Sequence, residues 1–140
     1  NCFFVQTQKP FWLAEAYENT INIEDTGLIS RNIDLAKFTL CLLALYFKRD
    51  GLFLDYAGGY GIFTRLMRDY GLDYYWSDPY CQNIFARGFE YKTTDHKNIA
   101  LMTSFESFEH FENPITEFEK MLALSNTIFF AFQFFTPGLR

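Results

Sequence analysis

From residue 52 onward, short apolar runs alternate with amphipathic stretches, a pattern typical of strands and helices that follow one another. The apolar runs predict five strands, at Leu52–Tyr56, Asp73–Ser77, Phe89–Tyr91, Ile99–Phe105 and Thr127–Phe135. Strands that alternate with helices form parallel βαβ units with right-handed crossovers. We therefore predict an α/β, Rossmann-like fold with a mostly parallel sheet and flanking helices.

Helices are predicted before the first strand and between the strands. They are a short helix at Phe11–Glu18, a long helix that Ser30 caps and that runs to about Lys48, and helices at Gly61–Tyr70, Tyr80–Arg87 and Pro114–Leu124. Asp50 and Gly51 end the long helix and turn the chain into the first strand. We expect residues 1–50 to form an N-terminal helical cap on an α/β core of residues 51–140, the two making one structural unit.

The composition favours one folded domain. The chain has 140 residues, of which 49% are apolar and 21% aromatic, so it can bury a core and is not disordered. Its formal net charge is −5, and Lys48-Arg49 is the only adjacent basic pair. An acidic chain without a basic patch is not typical of proteins that bind nucleic acid.

The cysteines and histidines indicate neither a disulfide framework nor a metal site. Cys2, Cys41 and Cys81 are odd in number and contain no CxxC pair, which is typical of reduced thiols in a cytoplasmic protein. The two histidines lie apart and the acids are scattered, so no metal-ligand spacing is present. No run reaches the roughly 18 apolar residues of a membrane span, and we expect no membrane partner.

A glycine-rich segment follows the first predicted strand and precedes an amphipathic stretch. It reads Asp55-Tyr56-Ala57-Gly58-Gly59-Tyr60-Gly61. A turn of this kind brings backbone and a helix N-terminus close to a small ligand. Asp78 closes the next strand, 23 positions after Asp55, so adjacent parallel strands would place both carboxylates at one sheet edge. Such a pair can hold an amino group of a ligand at one end and its ribose hydroxyls at the other.

This arrangement resembles the class I S-adenosylmethionine-dependent methyltransferases. Their first motif reads acidic-x-Gly-x-Gly-x-Gly, and their second strand ends in an acidic residue. One branch of the family also has a Glu-His pair and then Pro after the fourth strand, as in Glu109, His110 and Pro114 here. The resemblance extends from about Gly51 to Phe135. It implies S-adenosylmethionine as the cofactor and a small-molecule methyl acceptor, such as a sugar or another metabolite.

The resemblance also implies which residues bind the cofactor: Asp55, Ala57, Gly58, Gly59, Gly61, Asp78, Pro79 and Phe105. Asp55 and the backbone of the turn would face the methionine part, and Asp78 would take the ribose hydroxyls. Pro79 or Tyr80 would lie beside the adenine, and Phe105 would line the region of the sulfonium. Tyr17, Arg31 and Asn32 are further candidates to close over the cofactor, although a loop and a helix start also explain that segment.

Glu109 and His110 would lie near the methyl acceptor and are the candidate catalytic residues. An oxygen acceptor needs a base to take its proton, and both side chains are suited to that role. Local structure is the alternative explanation. His110 can cap a nearby turn, and an acid such as Glu109 is favourable before a helix that starts at Pro114.

The chain departs from the family pattern at two points. Ala57 stands where the family has its first glycine, and a methyl group there narrows the approach of the backbone and disfavours a positive φ. The family's sheet has seven strands, whereas five are predicted here, so the chain looks truncated after the fifth. The apolar strand Thr127–Phe135 would then have an open edge. We expect further C-terminal residues or a partner chain, such as a second copy, to cover it.

Two other functions remain open beside methyl transfer. A nicotinamide-dependent dehydrogenase requires Gly-x-Gly-x-x-Gly, but counting from Gly59 leads to Gly61 and then Thr64, so the third glycine is absent. A non-catalytic binding protein that keeps the methyltransferase fold is the stronger rival, since Ala57 and the short chain favour it.

Overall fold

The computed structural model describes residues 25–46, 51–92, 94 and 98–132. The described elements are α1 (Leu28–Tyr46), β1 (Leu52–Tyr56), α2 (Ile62–Asp69), β2 (Asp73–Ser77), β3 (Ile99–Phe105), a 3-10 turn (Phe108–His110), α3 (Pro114–Leu124) and β4 (Ile128–Ala131). The strands form one parallel sheet in the order β2-β1-β3-β4. The predicted α/β, Rossmann-like fold is confirmed.

Helices cover both faces of the sheet, because successive residues of a strand point to opposite sides. Phe53 of β1 packs with α1 and α2, in a cluster that includes Ala36 and Met67. Leu54, the next residue, packs on the other face with Met121 of α3. All of these side chains are buried, so β1 is a central strand of the kind found in α/β proteins.

The strand order reverses at β1, the place where open α/β sheets form a crevice at their carboxyl edge. From β1 the chain crosses through α2 to β2 on one side, and it then returns to place β3 on the other side of β1. Open α/β sheets bind ligands outside the carboxyl ends of strands at such a reversal. The residues at the carboxyl ends of β1, β2 and β3 are therefore the candidates for binding a ligand.

The segment between β2 and β3 differs from its prediction. The predicted helix Tyr80–Arg87 is wrong, since those residues form bends and turns. Asn83 accounts for this, because its side chain takes over backbone partners. Its amide donates to the carbonyl oxygen of Ala86 (2.8 Å) and to the carboxylate of Glu90 (2.8 Å), and its oxygen accepts from the Ala86 N–H (2.9 Å).

The predicted strand Phe89–Tyr91 is reduced to one isolated parallel bridge. Glu90 pairs with Trp76 on the outer side of β2. The Trp76 N–H donates to the Phe89 carbonyl, and the Tyr91 N–H donates to the Trp76 carbonyl, both at 2.8 Å. The bridge thus lies in the segment predicted as the third strand, but it is only one residue pair long.

Several element ends also differ from the sequence-based expectation. Because α1 begins at Leu28, Ser30 lies inside the first turn, where its hydroxyl donates to the Gly27 carbonyl (3.0 Å), and its prediction as the cap is wrong. The end of α1 is Tyr46, and Lys48 lies outside the described residues. The predicted helix Phe11–Glu18 also lies outside the described residues. Of the predicted strand Thr127–Phe135, the structure shows β4 at Ile128–Ala131, and residues 133–135 are not described.

β4 lies at one end of the sheet, as far as the structure describes the chain. Phe130 is 39% exposed and Phe132 is 40% exposed, so this end presents aromatic surface. The expectation that further chain or a partner covers it stays a prediction, and so does the division into residues 1–50 and 51–140. None of the described helices has both the length and the apolarity needed to cross a membrane.

Candidate functional site

A left-handed turn connects β1 to α2. Ala57, Gly59 and Gly61 adopt positive φ angles of 57°, 52° and 83°. Glycine adopts such angles freely, whereas a residue with a Cβ pays roughly 1–2 kcal/mol. Ala57 therefore has the positive φ that its side chain disfavours, and the turn carries local strain at the position where the family pattern has glycine.

One side of this turn is packed and the other is open. A Cβ on Gly58 would lie 2.6 Å from the Asp55 Oδ2 and 2.8 Å from the Trp76 Cδ1, so there is no room for a side chain at Gly58. A Cβ on Gly61 would lie 2.8 Å from the Asn83 Oδ1. A Cβ on Gly59 would meet nothing within 4 Å. The turn can thus admit a ligand at Gly59, as a cofactor cradle requires.

Asp78 joins the end of β2 to the glycine turn. Its Oδ2 accepts a hydrogen bond from the Gly59 N–H (2.9 Å), and its Oδ1 accepts from the N–H groups of Tyr80 (2.8 Å) and Cys81 (2.9 Å). The indole N–H of Trp76 donates to the Gly59 carbonyl (2.9 Å). The half-buried Asp78 therefore lies beside the open part of the turn, with three backbone donors around it.

Asp55 occupies the other side of the same turn, inside the protein. It is 2% exposed, and its oxygens accept from the hydroxyls of Thr64 (2.9 Å) and Thr103 (3.4 Å). Because β1 and β2 are adjacent and parallel, Asp55 and Asp78 share one edge of the sheet, which confirms that prediction.

The environment of Asp55 changes its titration. Burial raises the pKa of Asp55 to about 7, although the hydrogen bonds from Thr64 and Thr103 favour the charged form. The nearby charge of Asp78 contributes to this increase in the pKa. Protonated and ionised Asp55 are therefore both populated near neutral pH, which is unusual for an aspartate.

On the α3 side of the sheet, Tyr56 forms a contact that the sequence pattern did not reveal. Its hydroxyl donates to the Glu117 Oε2 (2.7 Å), and the Glu117 Oε1 accepts from the Lys120 Nζ (2.6 Å). Burial, and then the neighbouring Glu117, raise the pKa of Tyr56. These bonds fasten α3 to the carboxyl end of β1. The helix pattern shows that Glu117 and Lys120 are neighbours, but nothing in it shows their partner across the sheet.

Phe105 ends β3, the strand next to β1. Its ring packs edge-on against Phe63 (4.9 Å between centroids) and Phe129 (5.3 Å). Glu106 follows with a positive φ of 51°, and its N–H donates to the Ala131 carbonyl (2.8 Å). Phe105 is therefore held firmly at the carboxyl edge, and its contact with the cofactor stays a prediction.

Glu109 and His110 lie in the 3-10 turn Phe108–His110 that follows β3, and both are exposed. Phe108 anchors this turn, with its ring 4.9 Å from that of Phe130 and 5.3 Å from that of Phe111. Both candidate bases thus follow the carboxyl end of β3, at the same edge of the sheet as the glycine turn, and Phe108 packs with the cluster on the α3 face. Their role toward a methyl acceptor stays a prediction.

The start of α1 also reaches this edge. Arg31 pairs with Asp25 (2.7 Å), and that hydrogen bond, together with the charge of Glu106, raises the pKa of Arg31. Asn32 donates to the Leu28 carbonyl (2.8 Å), which is the local role that the loop-and-helix explanation predicts. Tyr17 lies outside the described residues, and Pro79 is exposed next to Asp78. Closure of these residues over the cofactor stays a prediction.

Within the described ranges, no group of three or more His, Cys, Asp or Glu side chains is arranged to hold a metal ion. The polar groups at the carboxyl edge are instead the two aspartates, the backbone of the glycine turn and the residues after β3. These suit an organic ligand with hydroxyl and amino groups.

Comparison with known proteins agrees with this geometry. The sequence model of a family described as "Methyltransferase domain" matches residues 30–132, a range that contains the glycine turn, Asp78, Phe105, Glu109 and His110. No match was found among curated proteins or among solved structures. The family match spans more than half of the chain and confirms the resemblance, so the chain belongs to the methyltransferase domain family.

Proposed function

We propose that this protein transfers a methyl group from S-adenosylmethionine to a small-molecule acceptor, such as a sugar or another metabolite. The observation that carries the proposal is the carboxylate of Asp78 next to the open side of the turn at Gly59. A carboxylate beside exposed backbone, at a reversal of strand order, suits a ligand that bears ribose hydroxyls.

The hydrogen bonds of Asp78 set a limit on how ribose can bind. A carboxylate has about four acceptor sites, and three backbone N–H groups already use Asp78. One further hydroxyl fits without change. For Asp78 to accept hydrogen bonds from both ribose hydroxyls, one backbone N–H must lose its bond to the carboxylate. The Gly59 N–H, at the open side of the turn, is the best placed to be replaced.

When bound, S-adenosylmethionine supplies a methyl group on a positively charged sulfur that is already reactive toward nucleophiles. The protein must align the donor and the acceptor in a line and keep water out. Phe105, locked between Phe63 and Phe129, offers an apolar wall for that purpose. For an oxygen acceptor, His110 or Glu109 would take the hydroxyl proton as a general base.

Titration calorimetry of the full chain with S-adenosylmethionine and with S-adenosylhomocysteine tests the proposal. Asp78→Asn should weaken both affinities about 10- to 100-fold, since buried hydrogen bonds are left unmade. Asp73→Asn is the matched control, because Asp73 begins the same strand at the opposite edge and is 43% exposed there. A folded chain that binds neither ligand, or an Asp78→Asn variant that binds like Asp73→Asn, would contradict the proposal.

A non-catalytic member of the family that binds the same ligand is the second candidate. The observation that favours it is the strained Ala57, which has a φ of 57° in the turn where the family pattern has glycine. Mass spectrometry of reactions with sugar, phenol, amine and carboxylic acid acceptors distinguishes the two. Tight binding with no S-adenosylhomocysteine formed from any acceptor class would favour the second candidate.

A further inference from the structure

Asp55 is a buried acid whose neighbours include no positive charge, in the part of the chain that the structure describes. α2 contributes the Thr64 hydroxyl and backbone N–H, and β3 contributes the Thr103 hydroxyl. The Tyr74 hydroxyl of β2 donates to the Thr103 Oγ1 (3.0 Å). Among the described residues, the one charged group that acts on Asp55 is Asp78, and it is negative. Within those residues, this carboxyl group is therefore held by two hydroxyl groups and one backbone N–H, and by no cation.

A buried carboxylate without a cation is costly, so proteins seldom keep one for stability. Here it lies one layer of backbone away from the open side of the turn. A Cβ on Gly58 would lie 2.6 Å from the Asp55 Oδ2, whereas a Cβ on the next residue, Gly59, would meet nothing within 4 Å. Across such a thin, poorly polarisable layer the field of a charge remains strong.

We infer that Asp55 is a specificity-determining residue whose buried charge makes the site select the sulfonium-bearing methyl donor over its uncharged thioether product. The inference rests on the proposed function. Donor and product share their adenosine, ammonium and carboxylate groups and differ by one methyl group and one positive charge. A negative field at the site therefore favours the donor, and transfer of the methyl group removes the charge that held the ligand.

The preference should depend on pH, because burial raises the pKa of Asp55 to about 7. Ionised Asp55 attracts the donor and protonated Asp55 does not, so selection for the donor should increase as pH rises through neutrality. By linkage, binding of a positive ligand should also displace the proton from Asp55. A neutral-sulfur ligand should displace less of it.

Calorimetry with three ligands tests the inference: S-adenosylmethionine, S-adenosylhomocysteine and sinefungin, an analogue with a protonated amine in place of the methylated sulfur. Between about pH 5.5 and about pH 7.5, the affinity of the wild type for either charged ligand relative to S-adenosylhomocysteine should rise roughly tenfold. In Asp55→Asn that ratio should be low and independent of pH. Asp73→Asn, with the same change of charge at the far edge, should behave like the wild type.

Each other outcome overturns a defined part of the account. If pH and Asp55→Asn shift all three affinities equally, Asp55 is structural and the inference is wrong, while the proposed function stands. If no ligand binds, the proposed function fails and the inference falls with it. If Asp55→Asn does not fold, calorimetry of the wild type in buffers of different ionisation enthalpy tests the inference, because it measures how many protons each ligand releases on binding. The inference requires more proton release with the two charged ligands than with S-adenosylhomocysteine.

Discussion

Asp55 and Asp78 are the same residue type at corresponding ends of neighbouring parallel strands, yet their surroundings differ. Asp55 is 2% exposed, is held by side-chain hydroxyls and has a pKa raised to about 7. Asp78 is half-buried and accepts hydrogen bonds from three backbone N–H groups. Gly58 lies over the first acid and Gly59 is bonded to the second. The glycine turn thus separates a buried acid from an accessible one, and we expect the first to act on a ligand through its charge and the second through hydrogen bonds.

The largest effect should come from removing the charge of Asp55. Its pKa is higher in the folded chain than in the unfolded one, so its contribution to stability is present below about pH 4 and is lost as pH rises to about 7. The loss is on the order of 4 kcal/mol. Asp55→Asn should lack this part of the pH dependence of stability. The free energy of unfolding of the variant minus that of the wild type should therefore be larger at pH 8 than at pH 4.

Urea denaturation of both proteins across that pH range measures the effect, with Asp73→Asn as the control. Other carboxyl groups titrate in all three proteins, so the informative quantity is the difference between the curves. Equal slopes for the wild type and Asp55→Asn would show that Asp55 is already ionised in the folded chain. Stabilisation combined with weaker donor binding is what a residue kept for function should show.

A second comparison substitutes the two glycines. Gly58→Ala forces a methyl group against Asp55 and Trp76, and such overpacking costs about 1–3 kcal/mol in addition to loosening the turn. Gly59→Ala has room for its methyl group, so its cost is the left-handed φ of 52°, roughly 1–2 kcal/mol. Thermal unfolding should rank Gly58→Ala as the less stable variant, and the reverse order would contradict the packing described for Asp55.

Tyr56 follows Asp55 in β1 and points to the other face of the sheet. Its substitution tests whether that face contributes to binding of the cofactor. Tyr56→Phe removes the hydrogen bond to Glu117 and should lower the free energy of unfolding by about 0.5–1.5 kcal/mol. A double-mutant cycle with Glu117→Gln isolates the interaction. Cofactor affinity should change little. A large loss of affinity with unchanged stability would show that the ligand extends to the α3 side.

The smallest effect is expected at Ala57. Ala57→Gly relieves the strain of a φ of 57° but adds freedom to the unfolded chain, so stability should rise by only about 1 kcal/mol or less. Removing the methyl group widens the approach to the turn, and S-adenosylmethionine should bind at least as tightly. Weaker binding would indicate that the Ala57 methyl group itself contacts the ligand.

The elements predicted from the sequence are those whose signals are local. Pro114–Leu124 has the same bounds in the structure, because Pro114 occupies the first turn and the Asn113 side chain accepts from the Thr116 N–H. Leu52–Tyr56 and Ile99–Phe105 are also confirmed. The helix predicted at Tyr80–Arg87 failed because Asn83 replaces backbone hydrogen bonds with its own, which a residue-by-residue preference for helix does not include.

The shared edge of the two acids was predictable from the sequence, but the environment of Asp55 was not. Asp55 near the end of β1 and Asp78 after β2, with glycines between them, predict one common edge of the sheet, and the structure confirms it. The burial of Asp55 has a signal in the sequence, since alternation along β1 places it on the same face as the apolar Phe53, which is buried. The partners that hold it, Thr64 and Thr103, come from 9 and 48 positions away, and only the folded chain brings them together.

A crystal structure of the chain with S-adenosylhomocysteine tests the central claim most directly. We expect the nucleoside to lie at the open side of Gly59, with a ribose hydroxyl within about 3.2 Å of the Asp78 carboxylate. Asp55 should remain beneath the turn without touching the ligand, in which case the prediction that Asp55 itself binds the methionine part would be wrong. A ligand elsewhere on the sheet, or ribose hydroxyls bound by other residues while Asp78 keeps only its backbone partners, would contradict it.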